Sequence, residues 1–139
     1  MSNQDLISIL LPVLNGQDSI SNAIHSILNQ SHKNFELIII NDGSTDNTDK
    51  IITNFSLIDK RIKIITNPNN IGIVKSLNLG IDFASGNFIA RQDADDYSHP
   101  LRLEIMLKAL NKYKYDLLSS TAFYQTENIN EIYNFDKTI

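Results

Sequence analysis

An α/β domain built on a mostly parallel, Rossmann-like sheet flanked by helices is predicted by three features of the sequence. Short unbroken apolar runs alternate with stretches of helical periodicity, the pattern of strands buried on both faces and their crossover helices. Turn-forming and helix-capping residues mark the switches between them. The 139 residues leave room for one core and no second full-sized domain.

Ile7 to Val13 (ISILLPV) is the first predicted strand. Asp18 or Ser19 then caps a helix with Ile20, Ala23, Ile24, Ile27 and Leu28 on one face. Phe35 to Ile40 (FELIII) is the second strand, and Asp42-Gly43-Ser44 makes a turn in which Ser44 caps a helix turning Ile51, Ile52, Phe55 and Ile58 inward. Arg61 to Thr66 is the third strand and Asn67-Pro68-Asn69-Asn70 a loop. The helix after it carries Val74, Leu77, Ile81 and Ala84 at helical spacing until Gly86 ends it. Asn87 to Arg91 is a short fourth strand. A carboxylate-rich segment, Gln92 to His99, leads to Pro100 in a first helical turn and to a helix bearing Leu103, Met106, Leu107 and Leu110. Leu117 to Tyr124 reads as a fifth strand, and residues 125–139 as an irregular tail.

Composition removes several functions. Sixteen acidic against twelve basic residues give a net charge of -4, and no Lys/Arg stripe is long enough to follow a phosphate backbone, so nucleic acid is not expected as a partner. Zero cysteines exclude a disulfide framework, a thiolate zinc site and a cysteine nucleophile. Met1 to Asp5 lacks the basic start and apolar run of a signal peptide, and no apolar stretch reaches the length of a transmembrane segment. The expected location is the cytoplasm, with a peripheral position at the inner face of the membrane left open.

In an open parallel sheet, ligands bind outside the carboxyl ends of the strands. Those ends offer Pro12-Val13-Leu14-Asn15-Gly16, Asn41-Asp42-Gly43-Ser44 and Asp93-Ala94-Asp95-Asp96. Three carboxylates within four residues repel one another unless a cation or donors lie between them, and a hard divalent ion resolves the conflict. Asp93 and Asp95 are the candidate pair for Mn2+ or Mg2+ gripping a diphosphate; the plainer alternative is a turn whose Asp96 is structural. Asp42 emerges from a buried strand and could accept hydrogen bonds from a base or sugar, or close an Asx-turn over Gly43-Ser44. Asp46 and Asp49 read as complements to a helix dipole. Lys75 and Arg91 could pair with phosphate; equally, Lys75 could be a solvated helix residue and Arg91 a partner of the acidic turn. His25, His32 and His99 show no metal-ligand spacing.

Taken in order, PVLNG, NDGSTDNT, NNIGIVKSLNLGIDFASGNFIARQDADD and PLRLE resemble the family 2 glycosyltransferases of GT-A fold, from about Ile7 to about Tyr124. The resemblance implies a nucleotide-sugar donor, usually a UDP-sugar, and transfer to a glycan or lipid-linked acceptor, most often with inversion. It implies that Asp42 hydrogen-bonds the uracil, that Pro12, Val13, Leu14 and Asn15 line the base pocket, and that Asp93 and Asp95 form the DxD pair. Asp95 would be the direct metal ligand, with Asp93 nearer the ribose or metal waters; Lys75 joins the nucleotide-binding set. Leu14 departs from the tyrosine common in the family, so an aliphatic contact replaces a stacked ring. The family's general base lies downstream of Glu127 and Glu131, beyond Ile139. The expectation is therefore a donor domain truncated before its acceptor half, either active within a longer enzyme or a non-catalytic nucleotide-sugar-binding or interaction module. Apolar surface exposed by such a truncation predicts a homodimer. A receiver domain is disfavoured because its acidic pair after the first strand and its aspartate after the third are absent, and a dinucleotide-binding domain because no GxGxxG follows the first strand.

Overall fold

A computed structural model describes residues 6–114 and 116–117. Its elements run β1 (Ile7–Val13), α1 (Ile20–Leu28), β2 (Phe35–Asn41), α2 (Thr48–Ile58), β3 (Ile62–Thr66), α3 (Ile73–Phe83), β4 (Phe88–Arg91) and α4 (Arg102–Tyr113). The four strands form one sheet in the order β3-β2-β1-β4, every pair parallel. The predicted fifth strand lies outside the described residues apart from Leu117, which is in no element, and the tail at 125–139 lies wholly outside them.

Helix placement follows from handedness. Right-handed crossovers that step from β1 to β2 to β3 put α1 and α2 on one face, and the step back across to β4 puts α3 on the other. Period-2 alternation divides the strands accordingly. Ile7, Ile9, Leu11, Val13, Phe35, Leu37 and Ile39 join α1, Ile52 of α2 and Leu103 and Leu107 of α4 in the larger core. Leu10, Ile38 and Ile40 form a smaller core under Leu77 and Ala84. Ile9, Leu11, Ile38, Ile39 and Ile40 have essentially no exposed surface. Each such side chain contributes about 1.5–3 kcal/mol by leaving water, so β1 and β2 anchor the fold.

Two helices differ from the sequence expectation. The apolar stripe of α2 ends at Phe55, which meets the His25 ring edge-on at 5.0 Å; Ile58, the last residue of the helix, is 83% exposed. On α3 the small residues Ser76 and Gly80 face the sheet, Leu77 and Ala84 pack beside them, and Val74 and Ile81 remain exposed. Close approach is the cause: a Cβ on Gly80 would lie 3.0 Å from Ile40 Cδ1 and 3.1 Å from Leu10 Cδ2. The helix also stops before Gly86, whose N–H donates to Ser8 Oγ. Asn47 replaces Ser44 at the N-cap of α2, while Ser19 does occupy that position on α1, without a side-chain capping bond.

Register opens the cleft. β1 pairs with β2 as far as Val13↔Asn41, but with β4 only as far as Leu10↔Arg91. Three residues of β1, about 10 Å of strand, thus extend past the last β4 pair. The chain leaving β4 enters the space beside them, where the strand order reverses and ligand crevices form.

Candidate functional site

The segment that leaves β1 is stitched to the one that leaves β2. Asn15 sits at φ 52, the left-handed region that Asn tolerates, with its N–H donating to Ser44 Oγ at 2.9 Å and its Oδ1 accepting from Thr45 N at 2.8 Å. Gly16 N donates to Thr48 Oγ1 and Gln17 N to Asp46 Oδ2, while Asp46 Oδ1 accepts from Thr48 N at 2.9 Å. Asp46 thus fastens two loops rather than merely facing a helix dipole. Asp49 accepts from Asn41 Nδ2 at 3.2 Å.

Asp42 is buried, 5% exposed, and its carboxylate organises the loop after β3. Oδ1 accepts from Asn67 Nδ2 at 2.8 Å and Ile71 N at 2.9 Å; Oδ2 accepts from Gly72 N at 2.9 Å. Burial alone would raise its pKa, but the donors from Ile71, Asn67 and Gly72 together hold it below the ordinary carboxylate value. The Asx-type bond here belongs to Asn41, whose Oδ1 accepts from Ser44 N at 3.0 Å. Gly43 makes the loop's approach feasible: it has φ 77, and a Cβ there would lie 2.7 Å from the Asn69 carbonyl carbon and 2.8 Å from Asn70 N.

After β4, Arg91 Nε donates to Asp93 Oδ1 at 2.9 Å in an exposed ion pair. Among the described residues, the Asp95 carboxylate takes part in no hydrogen bond or ion pair, so its oxygens are open to solvent. Asp96 contributes backbone: its N–H donates to Asp93 O and its carbonyl accepts from Gln92 Nε2.

These pieces line two adjoining cavities. One, about 430 Å³, lies between Pro12 to Gly16 of the β1 loop, Ile73, and Arg91, Asp93 and Asp95. The other, about 260 Å³, shares Pro12, Val13, Leu14 and Ile73 and reaches Asp42, Asn70 and Ser76. Leu14, 44% exposed, and Ile73, 51% exposed, form an aliphatic waist where the two meet. Pro12, Val13, Leu14, Asn15, Asp42, Asp93 and Asp95 are therefore gathered along one cleft. Lys75 is not among its lining residues and is exposed in the first turn of α3.

Sequence reasoning missed Ile73, Gly72 and Asn67. The Asn-rich loop NPNNIG was the signal for the latter two, but donors that are partly backbone amides leave no side-chain pattern. His25, His32 and His99 lie outside the cleft lining. No cluster of three His, Asp or Glu side chains able to hold a metal occurs among the described residues. The donors present, Asp93 and Asp95, still fit a hard cation that completes its shell with water and substrate phosphate.

An open parallel sheet with an acidic turn at its switch point defines an α/β domain with a ligand crevice outside the carboxyl ends of its strands. The chain belongs to the family described as Glycosyl transferase family 2, whose model matches residues 8–137. It is 44% identical over 112 residues to an uncharacterized glycosyltransferase of Haemophilus influenzae, covering 81% of this chain and 35% of that protein. It is 38% identical over 109 residues to the chondroitin synthase of Pasteurella multocida, covering 78% of this chain and 11% of the synthase. The crystal structure of S. aureus TarS with UDP-GlcNAc superposes with a TM-score of 0.72 at 25% identity, over 78% of this chain and 32% of that one. The fold is thus the expected GT-A type. The chain spans about a third of the length of the Haemophilus relative. No helix among the described residues is long and apolar enough to cross a membrane.

Proposed function

We propose that this chain is the donor-binding part of a glycosyltransferase that holds a nucleoside-diphosphate sugar, a UDP-sugar, along the cleft. The observation that carries this reading is a pair of adjoining cavities with a buried anionic acceptor, Asp42, at one end and, at the other, the open carboxylate of Asp95 beside Asp93, which pairs with Arg91. Asp42 accepts from its own chain but also lines the second cavity, where its carboxylate can meet the imide N–H of a uracil. Leu14 and Ile73 give the base aliphatic walls in place of a stacked ring. Asp93 and Asp95 would hold Mn2+ or Mg2+, which when bound supplies charge neutralisation for the departing diphosphate. Arg91 already balances Asp93 and lies within reach of the same charge.

Transfer with inversion to a glycan or lipid-linked acceptor needs a base within hydrogen-bond reach of the acceptor hydroxyl. In this reading that base comes from beyond Ile139. The proposed setting is cytoplasmic.

Calorimetric titration of UDP with Mn2+ and with EDTA tests the donor reading. The expected result is binding strengthened at least about tenfold by Mn2+, about 1.4 kcal/mol, with that gain absent in Asp95→Ala. No UDP binding in either condition would refute the reading.

A further inference from the structure

We propose that Arg102 is the positioning residue of the acidic turn: its guanidinium, reaching from the start of α4, fixes residues 91–98 so that Asp93 and Asp95 face the cleft. The inference rests on the reading of that turn as a cation and diphosphate site.

Three carboxylates in four residues resist a shared orientation. Among the described residues the stretch 93–98 makes a single backbone–backbone bond, Asp96 N to Asp93 O at 3.2 Å. The rest of its shape comes from side chains. Gln92, 2% exposed, donates from Nε2 to the carbonyls of Asp93 at 3.2 Å and Asp96 at 2.9 Å, closing the turn from inside. An amide that does this must keep its Oε1 on the opposite side, and there Ser98 Oγ and Arg102 Nη1 donate to it, the latter at 3.0 Å.

Arg102 completes the bracket. Nη1 also donates to Ser98 Oγ at 3.1 Å, and Nη2 donates to Arg91 O at 2.8 Å, so one planar fork spans both ends of the turn. Ser98, 6% exposed, is tied to α1 by its N–H on Ser26 Oγ at 3.0 Å. The guanidinium therefore links the last residue of β4, the amide inside the turn and the residue fastened to α1. Burial makes Arg102 easier to deprotonate, while the charges of Asp96 and Asp93 oppose this.

A lysine keeps the charge but cannot span Arg91 O and the Gln92–Ser98 pair at once. The test compares UDP affinity in Mn2+ and in EDTA for wild type and Arg102→Lys. The expected result is that the Mn2+-dependent gain falls about tenfold in the variant while metal-free affinity stays within about twofold, as for loss of an outer-shell partner. Amide exchange at 93–98 should also quicken without any ligand. A merely structural role would weaken both affinities together. If Arg102→Lys does not fold, Ser98→Ala, which removes one fork partner, should lower the gain about threefold. An unchanged gain in a folded variant overturns the proposal and leaves the cation site standing. A wild type with no Mn2+ gain overturns the cation site and the proposal with it.

Discussion

Glu36, near the start of β2, and Asp42, just past its end, lie six residues apart at opposite ends of the sheet, and they are satisfied in different ways. Glu36 accepts from Ser8 Oγ, Lys63 Nζ and Ser85 N, each at 2.6 Å. Its charge is cancelled by an ammonium, although burial alone would raise its pKa; Lys63, Ser8 and Ser85 together lower it. Asp42 is held by neutral dipoles, an Asn amide, two backbone N–H groups and the Ser76 hydroxyl. The amino end thus pairs its buried carboxylate with a half-exposed ammonium, whereas the carboxyl end keeps an uncompensated negative charge beside a cavity. Coulomb attraction closes the first; the second retains a charge and an acceptor position that a ligand can use.

The largest effect expected from breaking this contrast is at Asp42. Asp42→Ala removes an acceptor shared by three donors at the β3–α3 loop, leaving Ile71 N without one, and should cost about 3 kcal/mol in denaturant unfolding, together with UDP binding. Glu36→Gln should cost about 1 kcal/mol, because an amide offers one acceptor oxygen where the carboxylate offers two to Ser8, Ser85 and Lys63, yet change UDP affinity by less than about twofold. Equal losses of binding in the two variants would erase the distinction between the ends.

Acid sharpens the same comparison. Both carboxyls have folded pKa values below their unfolded ones, so their stabilisation is present above about pH 4 and is lost as pH falls through the folded values. Unfolding free energy should drop on acidification from about pH 5 to 3, less steeply in Glu36→Gln and in Asp42→Asn. Urea titrations at stepped pH check this, and a wild-type slope in both variants would contradict it.

Smaller effects follow at the waist and the surface. Leu14→Tyr supplies a ring face at the base position and should tighten UDP about threefold to tenfold, read by the same titration. Lys63→Met should cost at most about 1 kcal/mol, since its side chain is 50% exposed. A larger loss would mean that the amino-end ion pair is more shielded than its exposure indicates.

The strands and the acidic turns could be read directly because buried parallel strands are unbroken apolar runs and because carboxylates cluster in sequence at 93–96. The helix faces could not. Val74 and Ile81 have the apolar character of core residues, but Gly80 and Ser76 let α3 approach so closely that the small residues take the inner face. The partners of Asp42 were hidden for a different reason, being two backbone amides and a side chain 25 to 30 residues away. Gln92 and Arg102 could be seen as letters of a motif, but their joint role exists only once the start of α4 comes to lie beside the end of β4. Lys75 looked suitable by its position at the opening of the third helix and lies outside the cleft lining because α3 turns it to solvent.

Crystallography of this chain with UDP and Mn2+ bears most directly on the central claim. The account predicts the uracil edge on Asp42 and its face against Leu14, with a manganese anomalous peak joining Asp95 to the diphosphate. A nucleotide bound elsewhere, or one seated here with Asp95 turned away from both metal and phosphate, would contradict it.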